Sequence, residues 1–283
     1  MKSQKQKATP GCQEHLTRLQ MLQGVRARCD ADIRSLCAKQ REQVDRLTVT
    51  ELFGSSKRGL VLTCLKKNMT SLQGSCQREM RRVVRVQAWD AHLDPTFKRA
   101  CSADAKEHCP SSAPQEAHQC MREKIDLLSE KCQEAELLQG VLVSRDVSLK
   151  TPLMVKCRQA VSQVGFGVPP RNGQLLRCLQ DGMNAEGFPQ GCRQALAADI
   201  KASNHDWRMK YGVSRICLVD LDRLCPAEKK IGGGRALTCL KMHIANITVA
   251  TCKLEVTRSI RFGMHNFTLA LDTWQACAED VRR

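Results

Sequence analysis

The sequence predicts an all-α fold made of tandem, disulfide-stapled helical repeats of about 60 residues, stacked as an extended array. Three observations predict it: 17 cysteines in 283 residues, a constant spacing between groups of cysteines, and apolar residues at helical intervals around them. Aromatic residues make up only 4% of the chain, so few large side chains are available for one extensive core. Stability is therefore expected to come from small units cross-linked by sulfur.

The cysteines fall into groups of four, which we call the first to fourth cysteine of a repeat. Each fourth cysteine is followed by the next first cysteine after 25 residues, and this spacing occurs four times. Unrelated cysteines would not keep that register, so the repeat organises the whole chain. The candidate disulfide cysteines are Cys29, Cys37, Cys64, Cys76, Cys101, Cys109, Cys120, Cys132, Cys157, Cys178, Cys192, Cys217, Cys225, Cys239 and Cys252.

Three positions depart from this register. Repeat three has Gly165 where its second cysteine would stand, which leaves either Cys178 or Cys192 without a partner if pairing is within the repeat. Cys277 opens a repeat that the end of the chain truncates, and Cys12 lies off register. We therefore expect Cys12 and Cys277 to be unpaired.

The register also predicts the organisation of the chain. A basic N-terminal segment is followed by two full repeats, a degenerate third repeat, a full fourth repeat and a truncated fifth. Their predicted bounds are 1–19, 20–76 with a loop insertion at 41–60, 77–132, 133–192, 193–252 and 253–283.

Apolar columns predict where the helices lie. Apolar residues recur eight and four positions before the first cysteine and four after it, which is one face of an amphipathic helix. Pro110 and Pro226 directly follow a second cysteine, so this helix should end there. A second helix is predicted to begin at or near each fourth cysteine. A third should run from the third cysteine to the fourth, and be broken or shorter in repeat three, where glycines and a proline intervene.

Helix geometry restricts the chemistry of the cysteines. Two cysteines eight apart on one helix lie about 12 Å apart, whereas a disulfide needs Cα atoms within about 7 Å. The first and second cysteines should therefore each pair with another helix; whether the first joins the third, the fourth or a neighbouring repeat stays open. Zinc is disfavoured because C-x2-C pairs are absent and the seven histidines do not follow the register, so no metal or cofactor is expected.

An acidic residue stands three positions after most first cysteines. These repeat-motif acids are Asp32, Asp104, Asp220 and Asp280, with Ala160 at the same position of repeat three. The favoured interpretation is a hydrogen-bond acceptor at a helix end or between helices. A calcium or ligand-binding role is the alternative.

The chain carries a formal net charge of +16, which indicates either solvated helix faces or an acidic partner. On the helix predicted from Cys76, four arginines lie opposite the apolar face and form a possible stripe for an acidic ligand: Arg78, Arg81, Arg82 and Arg85. Nucleic acid is the least favoured polyanion, because the chain has few aromatic side chains on which bases could stack.

Dense cysteine usage indicates an oxidising compartment, so the chain is expected to be lumenal or secreted. Three N-x-T sequons fit that compartment, and the glycosylation candidates are Asn68, Asn246 and Asn266. The chain has neither a signal peptide nor an apolar run long enough to span a membrane. We therefore expect it to be part of a longer precursor, attached to a membrane only through parts outside this chain.

The motif C-x-x-D with a second cysteine at plus eight, and the segments "LDPTFKRAC" at 93–101, "CLQDGM" at 178–183 and "CAEDV" at 277–281, resemble the Golgi apparatus protein 1 family. That family is also known as the cysteine-rich fibroblast growth factor receptor or E-selectin ligand. The resemblance implies a multi-repeat lumenal ectodomain of a Golgi type I membrane glycoprotein that binds growth factors and selectin. It carries over no catalytic residues.

The leading functional prediction is a non-enzymatic ectodomain that binds protein ligands or glycans. No enzyme motif stands out, since "IGGGRAL" at 231–237 lacks the strand and the Lys-Ser/Thr ending of a phosphate loop. A structural or trafficking component of the Golgi lumen with no external ligand is the alternative. A basic protein that binds acidic polymers is the third.

Overall fold

The computed structural model describes residues 9–47, 57, 59–164 and 167–270. This part of the chain consists of helices and turns, with one isolated β-bridge between Asp146 and Arg171. The predicted fold class, all-α and stapled by disulfides, is confirmed. Its α-helices are α1 Pro10–Leu36, α2 Ala38–Asp45, α3 Leu60–Lys67, α4 Gly74–Trp89, α5 Pro95–His108, α6 Ala117–Glu123, α7 Glu130–Arg145, α8 Thr151–Lys156, α9 Arg158–Val164, α10 Gln174–Gly182, α11 Gln190–Asn204, α12 Tyr211–Ile216, α13 Leu218–Leu224, α14 Pro226–Ile231, α15 Arg235–Met242 and α16 Ala250–His265.

Short 3-10 helices complete the architecture. Four of them lie eight to ten residues before a first cysteine, and two follow the helices that carry a third cysteine. They are Ala91–Leu93, Val147–Leu149, Trp207–Met209 and Phe267–Leu269 in the first class, and Ile125–Leu127 and Ile244–Asn246 in the second.

The chain divides into two compact units. One comprises residues 1–117 and 129–138, and the other comprises 118–128 and 139–283. In the first unit α1 packs against α3 and α4, and α2 packs against α3. Met80, Val83 and Val84 of α4 are fully buried, which is the apolar face that the sequence predicted for this helix.

The second unit has two apolar clusters. One is built around the Cys157 and Cys192 sulfurs, with Leu179, Leu196 and Ile200 among its buried members. The other surrounds the corresponding sulfurs of repeat four, on helices α12, α13, α15 and α16. Each small core therefore forms around covalent bridges, one in repeat three and two in repeat four, as expected for a chain with few aromatic residues.

The predicted helix ends at the second cysteine are confirmed. Cys37, Cys109 and Cys225 each follow the last residue of a helix and donate their backbone N–H to the carbonyl oxygen four residues earlier. In repeats three and four the helix is also interrupted at the first cysteine, about two turns earlier, because Cys157 and Cys217 each separate two short helices.

Two predicted boundaries differ from the structure. Residues 10–19 of the predicted N-terminal segment 1–19 are not separate from repeat one, because α1 runs without a break from Pro10 to Leu36, and residues 1–8 lie outside the described part of the chain. The predicted loop 41–60 is helical at its start, where α2 continues to Asp45, and α3 begins at its last residue. Residues 48–56 and 58 lie outside the described part of the chain.

The third predicted helix is also wrong in extent. No helix of the described residues runs from a third cysteine to a fourth; instead each third cysteine lies inside a helix of seven to nine residues. A turn then separates it from the helix of the fourth cysteine, and an aspartate occupies that break in three of the repeats. The nine-residue α10 of repeat three is not shorter than its equivalents, contrary to the expectation from its glycines.

Candidate functional site

The disulfides lie within single repeats, and in repeats one and four the two bridges are nested. The first cysteine pairs with the fourth at Cα–Cα distances of 4.5 to 4.9 Å, and the second pairs with the third at 5.9 to 6.1 Å. The pairs are Cys29–Cys76, Cys37–Cys64, Cys101–Cys132, Cys157–Cys192, Cys217–Cys252 and Cys225–Cys239, and Cys109 and Cys120 are also disulfide-bonded. The outer bridge joins the helices at the two ends of a repeat, while the inner bridge fixes the short helix between them.

Cys178 is not part of a disulfide, so its place among the candidate disulfide cysteines is corrected. Its thiol donates to the carbonyl oxygen of Val164 at 2.9 Å. Val164 directly precedes Gly165, the position of the missing second cysteine. Cys12 is likewise a free thiol, exposed on α1, and Cys277 lies outside the described residues.

The repeat-motif acids cap the helices that carry the fourth cysteines. Asp32 accepts from the backbone N–H of Gln73, Asp104 accepts from that of Ser129, and Asp220 accepts from those of Thr248 and Val249. These donors lie at the N-termini of α4, α7 and α16, where backbone N–H groups have no partner inside the helix. Each acid therefore connects the first helix of its repeat to the last one; Asp280 lies outside the described residues.

The pKa values of these acids reflect the donors around them. Burial works to raise the pKa of Asp220, but donors from Thr248, Arg223 and Val249 outweigh it and lower the pKa to about 2. The pKa of Asp104 is lowered in the same way, because the backbone N–H and hydroxyl of Ser129 overcome the effect of burial. Both carboxylates are therefore ionised at neutral pH and saturated with hydrogen bonds, as expected of structural acceptors.

A second hydrogen-bond acceptor recurs in the repeats and was not predicted from the sequence. Eleven residues before the first cysteine stand Asp90, Asp146, Asp206 and Asn266, and each side chain accepts from the backbone N–H two residues later. This local bond starts a 3-10 turn, which after Asp90, Asp146 and Asp206 leads into the first helix of the repeat. The spacing to the first cysteine is constant, so the same register could have revealed it.

The predicted arginine stripe lies on α4. Arg78, Arg82 and Arg85 are exposed and Arg81 is partly exposed, while Glu79 of the same helix is buried. Glu79 forms ion pairs with Arg82 at 2.5 Å and with Arg28 of α1. Burial acts to raise the pKa of Glu79, but these two arginines lower it overall. Four arginines against one glutamate leave α4 with a charge of +3.

The three sequons differ in access. The Asn68 side chain is partly buried, and its amide nitrogen, the atom that would carry a glycan, donates to the Cys64 carbonyl at 3.0 Å. Asn246 and Asn266 are exposed. Asn266 uses its oxygen to accept from the N–H and hydroxyl of Thr268, and among the described residues its amide nitrogen makes no hydrogen bond.

One cluster of described residues has metal-ligating side chains, namely Cys225, Cys239 and His243, whose ligand atoms lie within 4.8 Å of one another. The two sulfurs are bonded to each other and so lack the thiolate charge that zinc needs. Among the described residues, no helix combines the length and the apolar character needed to cross a membrane.

Comparison with known proteins gives a consistent picture. Residues 74–128 and 190–248 match the profile of the family described as "Cysteine rich repeat". Over 90% of the chain, the sequence is 22% identical to Golgi apparatus protein 1 of Cricetulus griseus and 21% identical to that of Homo sapiens. It is also 23% identical to the Golgi apparatus protein 1 homolog of Caenorhabditis elegans over 79% of the chain. The chain spans about a fifth of the length of these relatives, and no solved structure matches it.

Proposed function

Because the chain belongs to the cysteine-rich repeat family and is a homologue of Golgi apparatus protein 1, we propose that it is a non-enzymatic binding module of the Golgi lumen or secretory pathway. Its ligands are acidic glycans or proteins that bear them, including growth-factor-like partners. The observation that carries this proposal is the nested disulfide framework, which requires an oxidising compartment to form and persist. The relatives, which carry the word Golgi in their names, support the same placement.

The arginine stripe of α4 is the surface that we assign to an acidic glycan. Arg78, Arg82 and Arg85 are exposed along one face, and the carboxylate of Glu79 is turned inward among cationic partners. Guanidinium groups suit sulfate and carboxylate because their planar N–H groups match two oxygens at once. A row of them on a rigid helix therefore favours a linear polyanion.

The proposal includes the absence of catalysis. The lowered pKa values of Asp104, Asp220 and Glu79 come from hydrogen bonds and ion pairs that hold helices together. Carboxylates saturated in this way are poor proton carriers at neutral pH. This supports a binding role over an enzymatic one.

Heparin affinity chromatography tests the glycan assignment. The test variant combines Arg78→Gln, Arg81→Gln and Arg85→Gln; it spares Arg82, which neutralises the buried Glu79. The matched control combines Lys230→Gln, Arg235→Gln and Lys253→Gln, three exposed cations with the same total charge on other helices. We expect the test variant to elute at clearly lower salt than the control, because the lost charges are contiguous.

Equal elution of the two variants would contradict the stripe. A sulfonate resin run in parallel separates glycan recognition from simple cation exchange. If the wild-type chain is held no more strongly by heparin than by that resin, the alternative of a structural or trafficking component without an external ligand is favoured instead.

A further inference from the structure

A cavity with a volume of about 60 Å³ lies among residues 150–262, lined by α10, α11, α12 and α16 and the turns beside them. Its lining is unusually rich in charge for so small a space. The charged lining residues are Lys150, Arg177, Asp199, Lys210, Glu255 and Arg258. Four cations against two anions leave a net charge of +2 inside the lining.

The carboxylates of this cavity are already engaged. Asp199 forms an ion pair with Lys150, and Glu255 forms one with the Nε atom of Arg177 at 2.8 Å. Arg258 pairs instead with Asp181 at 2.9 Å. No carboxylate of the lining is therefore left over to neutralise Lys210.

Two cationic donors remain unsatisfied. Within the part of the chain that the structure describes, the Lys210 ammonium makes no hydrogen bond and no ion pair. The Nη2 atom of Arg177 is buried and also lacks a hydrogen-bond partner there. Lys210 is partly buried, whereas the Arg177 Nη2 atom is fully buried. A buried guanidinium N–H without a partner is costly, so its presence beside an unpaired ammonium on one cavity indicates a group that the lining itself does not supply.

The repeat register explains how Lys210 lost its partner. Lys150 and Lys210 both stand seven residues before a first cysteine, and Asp199 stands seven residues after the fourth cysteine of repeat three. The equivalent of Asp199 in repeat four is Ser259, which is buried and lines the same cavity. The lysine is thus kept in repeat four, while its carboxylate is replaced by a neutral hydroxyl.

Two glycines allow the wall of the cavity to close around these groups. A Cβ atom at Gly212 would lie 2.1 Å from the Glu255 carboxylate, which is impossible without displacing the partner of Arg177. Gly173 has a positive φ of 68°, and a Cβ atom there would lie 3.0 Å from the Tyr211 ring. The charged lining is therefore held in a specific, closely packed arrangement.

The protonation of Lys210 reflects its isolation. Burial, reinforced by the charges of Lys241 and Lys150, lowers the pKa of Lys210 to about 8, against the pull of Asp199 and Glu255. An anion in the cavity would supply the missing negative charge and raise this pKa.

We propose that this cavity is an oxyanion-binding site, in which the Lys210 ammonium and the Arg177 guanidinium hold a sulfate or phosphate group. A cavity of about 60 Å³ has room for more than one water molecule, and so for a small anion or the sulfate end of a glycan. The site is separate from the arginine stripe of α4 and does not rest on the function proposed for it.

The decisive variant gives repeat four the carboxylate that repeat three has at the equivalent position. In Ser259→Asp, Lys210 gains a carboxylate partner within the protein while every cation is kept. The new carboxylate should compete with sulfate for Lys210 and weaken sulfate binding. Thr257→Asp puts the same charge on an exposed position of α16 and serves as the matched control. We expect the dissociation constant for inorganic sulfate, measured by calorimetry on the full chain at constant ionic strength with chloride as the reference ion, to rise at least about tenfold in Ser259→Asp and Lys210→Met but little in Thr257→Asp.

The pKa of Lys210, followed by NMR of its side chain, provides a second measurement that does not depend on folding yield. Sulfate should raise it in the wild-type chain, and sulfate affinity should fall as the pH rises through 8. The other titratable or charged groups around Lys210 are Lys150, Arg177, Asp199, Tyr211, Lys241, Glu255 and Arg258. The proposal would be overturned if the wild-type chain did not bind sulfate, or if Ser259→Asp bound sulfate as tightly as the wild-type chain does.

The source of the anion is resolved by competing ligands. Inorganic sulfate, inorganic phosphate, a sulfated disaccharide and its desulfated counterpart are compared in the stripe variant, so that α4 does not contribute. Stronger binding of the sulfated disaccharide than of inorganic sulfate identifies a glycan end group. Equal or weaker binding identifies a free anion.

Discussion

Repeats three and four have the same order of helices but different chemistry at two positions. Repeat four has both disulfides and the capping acid Asp220, whereas repeat three has one disulfide, the free thiol of Cys178 and Ala160 in place of the acid. Both nonetheless break their first helix at the first cysteine and begin their last helix two residues before the fourth. The outer bridge and the apolar columns are therefore sufficient for the helix order.

Repeat three compensates for the missing acid with apolar contacts. Ala160 is fully buried in the same cluster as Met183 and Phe188. Arg193 donates to the carbonyl oxygens of Met183 and Ala185, which holds the turn before α11 in place. A buried carboxylate and its donors have thus been exchanged for a small apolar contact. Such a replacement often leaves the stability unchanged when both partners change together.

Removing the outer bridge should have the largest effect, and a different one in each repeat. Both outer bridges close a loop of 35 residues, so Cys157→Ser with Cys192→Ser and Cys217→Ser with Cys252→Ser should each cost about 4 kcal/mol of unfolding free energy. Repeat three then has no disulfide, whereas repeat four keeps Cys225–Cys239. Hydrogen exchange should show protection lost across α8 to α11 in the first variant and retained in α13 to α15 in the second. Equal loss of protection would show that the inner bridge contributes nothing on its own.

Restoring the missing cysteine should make repeat three more like repeat four. The Cys178 sulfur lies 2.9 Å from the oxygen of Val164, and in repeat four the Cys239 sulfur lies 3.8 Å from that of Leu224, which also precedes the second cysteine. Gly165→Cys should therefore form a disulfide with Cys178 and raise the unfolding free energy by up to about 3 kcal/mol. Alkylation and mass spectrometry detect the bond, and urea unfolding measures the gain.

The control for this prediction is the same variant with Cys178→Ser, in which the gain should disappear. A Gly165→Cys chain that still alkylates at Cys178 in its native state would mean that repeat three has diverged in backbone as well as in composition.

Replacing the capping acid should have a smaller, pH-dependent effect. Asp220→Asn should lower the unfolding free energy by about 2 kcal/mol at neutral pH, because two backbone donors and one hydroxyl lose an ionised acceptor. Since folding lowers the pKa of Asp220 to about 2, its contribution is present above pH 4 and lost as the pH falls through 2. Urea unfolding across this range should show the two chains converging in stability.

Asp222→Asn provides the matched control, since that acid is exposed on the same helix and pairs only with Lys229 among the described residues. It should change stability by less than about 0.5 kcal/mol. A gap between Asp220→Asn and wild type that stays constant down to pH 2 would contradict the capping role.

The register and the apolar columns were enough to predict the fold class, the starts of helices near Cys76 and Cys252, and the helix ends at Cys109 and Cys225. They could not choose among pairing schemes, because both cysteines of each helix face other helices and only the packing decides which sulfur lies opposite. The turn that ends the helix after each third cysteine was not predicted for a similar reason. The acid and the backbone N–H that together fix this turn are 25 to 41 residues apart in the sequence.

The cavity could not be predicted from the sequence, for a different reason. Lys150 and Lys210 occupy one column, but their different fates depend on Asp199 and Ser259, which come beside them only after α11 and α16 have packed. The column of Asp199 has no shared chemistry, so nothing in the sequence marks it. Only the comparison of two repeats in three dimensions shows that one lysine kept its counter-charge and the other did not.

The nesting of the bridges also determines how such a chain can change in length. Every bridge given for the described residues begins and ends inside a single repeat, and in repeats one and four one bridge encloses the other. A duplication or deletion of repeat one or repeat four therefore adds or removes complete pairs of sulfurs and leaves no unpaired thiol, whereas a copy of repeat three adds the free thiol of Cys178. Proteins of very different lengths can be assembled from this module without redesigning their oxidative folding.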